Sequence, residues 1–197
     1  YLQLTITELK HLEILDMKIT KLSPIIRRIT AGNSNMFTGP GTNSYLLGKN
    51  EVTVIDPGPP MVNHIEDLIS LTGKSLKQIL ITHTHPDHSP GARILKEMTG
   101  VPLYGLTTES SRKRDEEIAI DKILKHGDHI KTWEYSIEVI HTPGHASNHL
   151  CYFLIDENTL FTGDHIMEGS TVVIAPPDGN MREYLESLEL LREYPIK

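Results

Sequence analysis

The stretch Thr82-His83-Thr84-His85-Pro86-Asp87-His88 decides the fold of this chain. Three histidines and one aspartate fall within six consecutive positions, directly after the apolar run Gln78-Ile79-Leu80-Ile81. A buried strand that runs into a ligand-dense turn fixes metal ions at a sheet edge, because imidazole and carboxylate are the usual ligands of zinc and other divalent transition metals. His83 and His85 stand two apart, so extended backbone sends both side chains to one face, where they can grip a single ion. Asp87 and His88 follow where the chain turns. Ser89 and Pro90 then read as the N-cap and first position of a helix. The alternative is a polar turn with chance histidines, and the rest of the chain argues against it by supplying more ligands.

Those ligands sit in two later segments. One is His141-Thr142-Pro143-Gly144-His145-Ala146-Ser147-Asn148-His149, after the strand-like Tyr135 to Ile140; the other is Leu160-Phe161-Thr162-Gly163-Asp164-His165. Each is an apolar strand that ends in glycine and a metal-type side chain, and repeated strand ends of this kind imply one shared site at one sheet edge. On these residues the chain resembles the metallo-beta-lactamase superfamily. That family carries an acidic residue at an early strand end, matched by Asp56 in Val54-Ile55-Asp56-Pro57-Gly58. It then has His-x-His-x-Asp-His, matched by His83, His85, Asp87 and His88, followed by a single His (His145) and a single Asp (Asp164). The stretches Thr38 to Tyr45, Gly169-Ser170-Thr171 and Ala175 to Gly179 resemble its lactamase-like subgroup.

The resemblance implies a fold and a ligand set. The fold is α+β, an αββα four-layer sandwich with metals at the sheet edge. His83, His85 and His145 would bind a first ion. Asp87, His88 and a final His would bind a second, with Asp164 bridging both. That final His is absent, since the only histidine after Asp164 is its neighbour His165. The expectation is therefore a chain cut before its last ligand, with residues 1–21 an N-terminal extension and 22–197 a domain lacking its C-terminal part. Such a chain is expected to hold at most one tightly bound ion. Asp56 reads as a residue that holds a ligand loop rather than a metal. His165 reads as facing substrate or as structural, His141 and His149 as strand-end histidines, and His11, His64, His126 and His129 as surface.

Composition fits a water-soluble enzyme. With 197 residues the length suits one domain, and no apolar run approaches the roughly 20 residues that span a bilayer. Cys151 is the only cysteine, so no intrachain disulfide forms; it reads as a small core hydrophobe, and the cytoplasm is the expected compartment. A formal net charge of -7 favours a small-molecule substrate over RNA, with no membrane partner and a homodimer as one possible assembly. The basic pairs and triplets Arg27-Arg28 and Arg112-Lys113-Arg114 read as solvated faces.

Strands are expected at 25–30, 44–47, 52–55, 78–82, 102–104, 129–131, 135–141, 149–155, 159–162 and 171–174. Helices are expected at 65–71, 90–98 and 181–192, the last with Tyr184, Leu185, Leu188 and Leu191 on one side. Residues 107–122 are the candidate lid or spacer. The function that follows is a metal-dependent hydrolase. Paired metals about 4 Å apart share a hydroxide and lower the pKa of bound water toward about 7, while Asp87 orients the nucleophile or relays its proton. Zinc is the expected metal, two ions in the complete protein, with manganese or iron also compatible with a His and carboxylate set. The substrate is an ester, thioester or phosphodiester. The rivals are a hydroxyacylglutathione-hydrolase-like thioesterase, a single-strand endoribonuclease, and a mono-iron persulfide dioxygenase using His83, His145 and Asp164.

Overall fold

Gln78-Ile79-Leu80-Ile81 is apolar on both faces because both faces are covered. Ile79 and Ile81 pack with helix residues Ile65, Leu68, Ala92 and Leu95, while Leu80 packs with Ile137, Val139 and Tyr152 of a second sheet. A near-continuous apolar run is how a doubly buried parallel strand reads in sequence. The computed structural model of the chain describes residues 19–110 and 118–197. The expected N-terminal extension up to residue 18, the centre of the expected lid and the Arg112-Lys113-Arg114 cluster lie outside the described residues.

Among the described residues the strands form a sheet of seven and a sheet of four. The larger runs in sequence order: β1 (Ile19–Lys21), β2 (Ile26–Thr30), β3 (Asn43–Leu47), β4 (Val52–Ile55), β5 (Leu76–Leu80), β6 (Leu103–Gly105) and β7 (Lys122–Ile123). Pairing is antiparallel from β1 to β4 and parallel from β4 to β7. The smaller sheet is antiparallel, in the order β11-β10-β9-β8, from β8 (His129–Lys131), β9 (Ser136–His141), β10 (Leu150–Leu154) and β11 (Thr159–Phe161). Helices α1 (Val62–Thr72) and α2 (Pro90–Thr99) cover the outer face of the large sheet, and α3 (Met181–Leu191) covers that of the small one through Leu191 against Ile140, Cys151 and Phe153. The layering is the expected αββα sandwich. No described helix is long and apolar enough to cross a membrane.

Four expectations are corrected. Residues 171–174 form no strand: the Val173 carbonyl accepts from His145 Nδ1 at 2.6 Å, so it is spent on an imidazole rather than a ladder. On α3 the inward positions are Tyr184, Ser187, Leu188 and Leu191, with the helical i, i+3, i+4, i+7 spacing, and Leu185 is 55% exposed. Ser89 precedes α2 as expected, but its hydroxyl donates to the His85 carbonyl at 3.1 Å and makes no cap bond to the helix. His64 is buried, not at the surface, and its Nε2 meets Ser44 Oγ at 2.8 Å. The strands β1 and β7, three and two residues long, carry too little pattern to be read in sequence.

At the end of the sandwich remote from the histidines, one carboxylate ties the two sheets. Glu134, in the β8–β9 turn, accepts from the backbone N–H groups of Lys49, Asn50 and Glu51 at 2.8–2.9 Å and from the Asn50 side chain at 2.9 Å. Partial burial alone would raise its pKa, but these donors outweigh that and lower it to about 2. A depressed carboxylate contributes stability above its unfolded pKa and loses it as pH falls through the folded value. Glu134→Ala is expected to cost about 1 kcal/mol at pH 7, a magnitude discounted for its exposure. That cost should shrink steadily from about pH 4.5 toward 2. Urea melts of both proteins across that range check it, and a difference that stays constant with pH rules the carboxylate out.

Candidate metal centre

Four strand ends deliver the site. β4 ends at Asp56, β5 leads into Thr82 to His88, the β9–β10 connection carries His145, and β11 runs through Thr162-Gly163 to Asp164. The two sheets are joined here by backbone: Leu150 N–H donates to the Thr82 carbonyl at 2.7 Å, and the buried Tyr152 hydroxyl donates to the Ile81 carbonyl at 2.6 Å. Gly163 lies where no side chain fits, since a Cβ there would stand 2.7 Å from both His149 Nε2 and Thr82 Oγ1.

His83, His85 and His145 converge on one point. His85 Nδ1 stands 3.0 Å from His83 Nε2 and 2.9 Å from His145 Nε2. The outer nitrogens fix the tautomers. His145 Nδ1 faces the Val173 carbonyl, which only accepts, so that nitrogen carries the proton. Thr82 Oγ1 donates to Asp56 Oδ2 at 2.7 Å, so it accepts from His83 Nδ1 at 3.0 Å. Both inward Nε2 atoms therefore present lone pairs, and the single nitrogen of His85 between them carries at most one proton. Three inward nitrogens with two bare lone pairs suit a cation better than they suit each other, so the donor set fits a metal.

A second group is formed by His83, His88 and Asp164, whose ligand atoms all lie within 4.8 Å of one another. His88 Nε2 is 3.1 Å from Asp164 Oδ1, and its Nδ1 is 3.0 Å from Asp56 Oδ2. Asp164 Oδ2 is also 3.6 Å from His145 Nε2, so this carboxylate stands between the groups. Asp87 is outside both, with Oδ2 3.6 Å from His88 Nε2 and about a third of its side chain in solvent. His83 is common to both groups.

Burial and neighbours push these groups apart in charge. Desolvation, then the adjacent His88, His149, His85 and His145, holds His83 well below its ordinary pKa, so it stays neutral. Burial pulls His88 the same way, but hydrogen bonds to Asp164 and Asp56 win and raise it well above 6.5. Burial would likewise raise Asp164, yet His88 and the neighbouring histidines keep it below the usual carboxylate range. The result is an imidazolium–carboxylate pair buried beside a neutral imidazole.

Asp56 organises the ligand strand. Its φ of 51° is left-handed, which a non-glycine residue adopts at some cost. The turn aims both oxygens across the sheet: Oδ1 accepts from Thr82 N–H and Oδ2 from Thr82 Oγ1, both at 2.7 Å, and from His88 Nδ1. It is in neither ligand group. His165 is fully buried with its ring 4.8 Å from that of Tyr184, so it does not face substrate; burial and His145 lower its pKa to about 4. His141 is half-buried and its Nε2 meets the Ser147 carbonyl. His149 is buried with its ring 5.2 Å from that of His83, and its Nδ1 meets Thr142 Oγ1. The sequence reading missed Thr82 and Val173, which fix tautomers, and α3, which holds two ligand turns. Thr82 had a signal, as the residue flanking the histidine motif; the Val173 carbonyl had none.

The sequence profile of the metallo-beta-lactamase superfamily matches residues 37–197. A lactamase-like protein of Pestalotiopsis microspora is 33% identical over 173 residues, which are 85% of this chain and 52% of that protein. An atrochrysone carboxyl ACP thioesterase of Cryptosporiopsis is 30% identical over 161 residues, 79% of this chain and 48% of its own length. The chain thus spans about half the length of these curated relatives. Among solved structures, TTHA1623 in a di-iron-bound form superposes with a TM-score of 0.66 at 25% identity, covering 85% of this chain and 86% of that one. Motif order, layer order and profile match agree that the chain belongs to the metallo-beta-lactamase superfamily.

Proposed function

We propose that this chain carries the two-metal centre of a hydrolase that cleaves acyl thioesters. The observation that carries the reading is the place of Asp164, whose two oxygens face His88 on one side and His145 on the other. A carboxylate so placed can be shared by two ions, with His83, His85 and His145 completing one position and His88, with Asp87 near it at the rim, the other. Zinc is the proposed metal by ligand type; the di-iron form of TTHA1623 supports iron as the alternative. When bound, two such ions supply a Lewis acid for the substrate carbonyl and a water acidic enough to attack it at neutral pH.

The protein's own groups have distinct tasks in this reaction. Asp87 is the site carboxylate most open to solvent, so it takes the proton of the attacking water as that water adds to the thioester carbon. The C–S bond then breaks, and the thiolate collects a proton on release. Asp56 and Thr82 hold His83 and His88 in place. The thioester is favoured because the Cryptosporiopsis relative is named as a thioesterase. RNA is disfavoured, since the formal net charge is -7 and Arg27 reaches back to the carbonyls of Leu71 and Gly48. A one-iron site from His83, His145 and Asp164 is disfavoured because His85 sits directly between His83 and His145.

Asp164→Asn is expected to lower metal content at both positions, read by elemental mass spectrometry on dialysed protein; unchanged stoichiometry removes the bridging role. Asp87→Asn should keep most of the metal and lose about 10²–10⁴-fold in thioester turnover, followed by thiol release. A variant that turns over at the wild-type rate rules out Asp87 as the base. Metal binding at the His88 position must displace a proton held above the ordinary pKa. Affinity there should fall up to tenfold per pH unit on acidification below that raised value. The His83–His85–His145 position should respond less, because His83 is held neutral. Metal titrations at pH 6 and pH 8 separate the two, and equal pH slopes contradict the assignment.

A further inference from the structure

Helix α3 grips two ligand-bearing turns at once. On the His145 side, Asn180 N–H donates to the Gly144 carbonyl at 2.7 Å and Ser187 Oγ to the Pro143 carbonyl at 2.8 Å. Asp178, just before the helix, accepts from Ser147 N–H at 3.1 Å. The fit is close: a Cβ on Gly144, whose φ is 143°, would lie 2.4–2.6 Å from the Tyr184 backbone and Cβ, so only glycine serves there. On the Asp164 side the Tyr184 hydroxyl donates to the His165 carbonyl at 3.2 Å, and its ring lies 4.8 Å from that of His165. Tyr184 is therefore the residue where the two turns meet, the His145 turn against its backbone and the Asp164 turn on its hydroxyl.

We infer that Tyr184 is a positioning residue that sets Asp164 against His88, and so governs the second metal position most strongly, since the first keeps its three histidines, whose His145 turn is held by Ser187 and Asn180. The inference rests on the two-metal reading. The peptide accepting the Tyr184 hydroxyl belongs to His165, the neighbour of Asp164, so loss of that bond removes the tie from α3 to the turn carrying the carboxylate, which keeps its own bonds from His165 N–H to the Thr162 carbonyl and from Thr162 Oγ1 to the Ile166 carbonyl. It leaves the Pro143-Gly144 contacts untouched. The Ser187 hydroxyl bonds on the His145 side, so its loss loosens the opposite turn.

The test is a cobalt(II) titration of the whole chain, read by visible d–d absorption, on wild type, Tyr184→Phe and Ser187→Ala. Phenylalanine keeps the ring against His165 and removes only the hydroxyl. The expected result is a tight first and a weaker second binding phase in wild type, with the second weakened about tenfold in Tyr184→Phe, well beyond any change in the first, and the first weakened in Ser187→Ala, on the scale typical of residues that orient ligands. Thermal melts accompany each titration. Unchanged cobalt affinities in Tyr184→Phe, or equal weakening of both phases, overturn the inference, as does a lower Tm with intact affinities. Wild-type protein that binds no cobalt would remove the two-metal reading itself, a failure distinguishable from that of Tyr184.

Discussion

The hydrogen bond from Leu150 N–H to the Thr82 carbonyl is the constraint on which the site depends. Two sheets packed face to face stand about 10 Å apart, too far for their backbones to touch. Here they close, because β5 and β10 reach the same corner and exchange a backbone bond, with the Tyr152 hydroxyl adding a second at Ile81. The residues just beyond Thr82 are His83 and His85; those just before Leu150 include His145 and His149. Joining the sheets at this point is what brings ligands more than 50 positions apart within 3.0 Å. Without that closure each half would offer an incomplete set.

The corner also concentrates unfavourable groups. His83, His88, His145, His149 and His165 are all buried, and His88 is held cationic beside Asp164. Burying that many ionisable side chains costs stability unless each is partnered, so the surrounding chain is spent on partners. Asp56 accepts three hydrogen bonds from a left-handed backbone, and Val173 gives up a strand carbonyl. The apolar clusters on either side of the large sheet, anchored by Ile79 and Ile81 on one face and Leu80 on the other, hold this corner together.

The legible parts of the chain were those with a period or a motif. β4, β8, α2 and the core of β10 fall where the alternation and helical spacing put them, and the four ligand-bearing strand ends gather at one edge. Histidine and aspartate spacing located His83, His85, His88, His145 and Asp164, which the structure brings together, and Asp87, which it leaves at the rim. What stayed hidden was set by neighbours distant in sequence. Val172-Val173-Ile174 looks like a strand, but its hydrogen-bonding partner is a side chain from another loop. His64 has no local signal for burial, because the group it meets, Ser44, lies on a strand twenty residues away. Leu185 is apolar yet exposed, since a helix one turn from a polar site buries Ser187 instead.

Cys151 is the second residue of β10, between Thr142 and the Thr162 carbonyl, fully buried under α3, and burial pushes its thiol up to about 12. As the chain's single sulfhydryl it is inert while the small sheet is closed. Its reactivity toward a thiol reagent therefore requires α3 to lift from the sheet or that sheet to open. The molecule thus carries a built-in clock for the motion of the layer that holds His145, readable in unmodified protein without any engineered label.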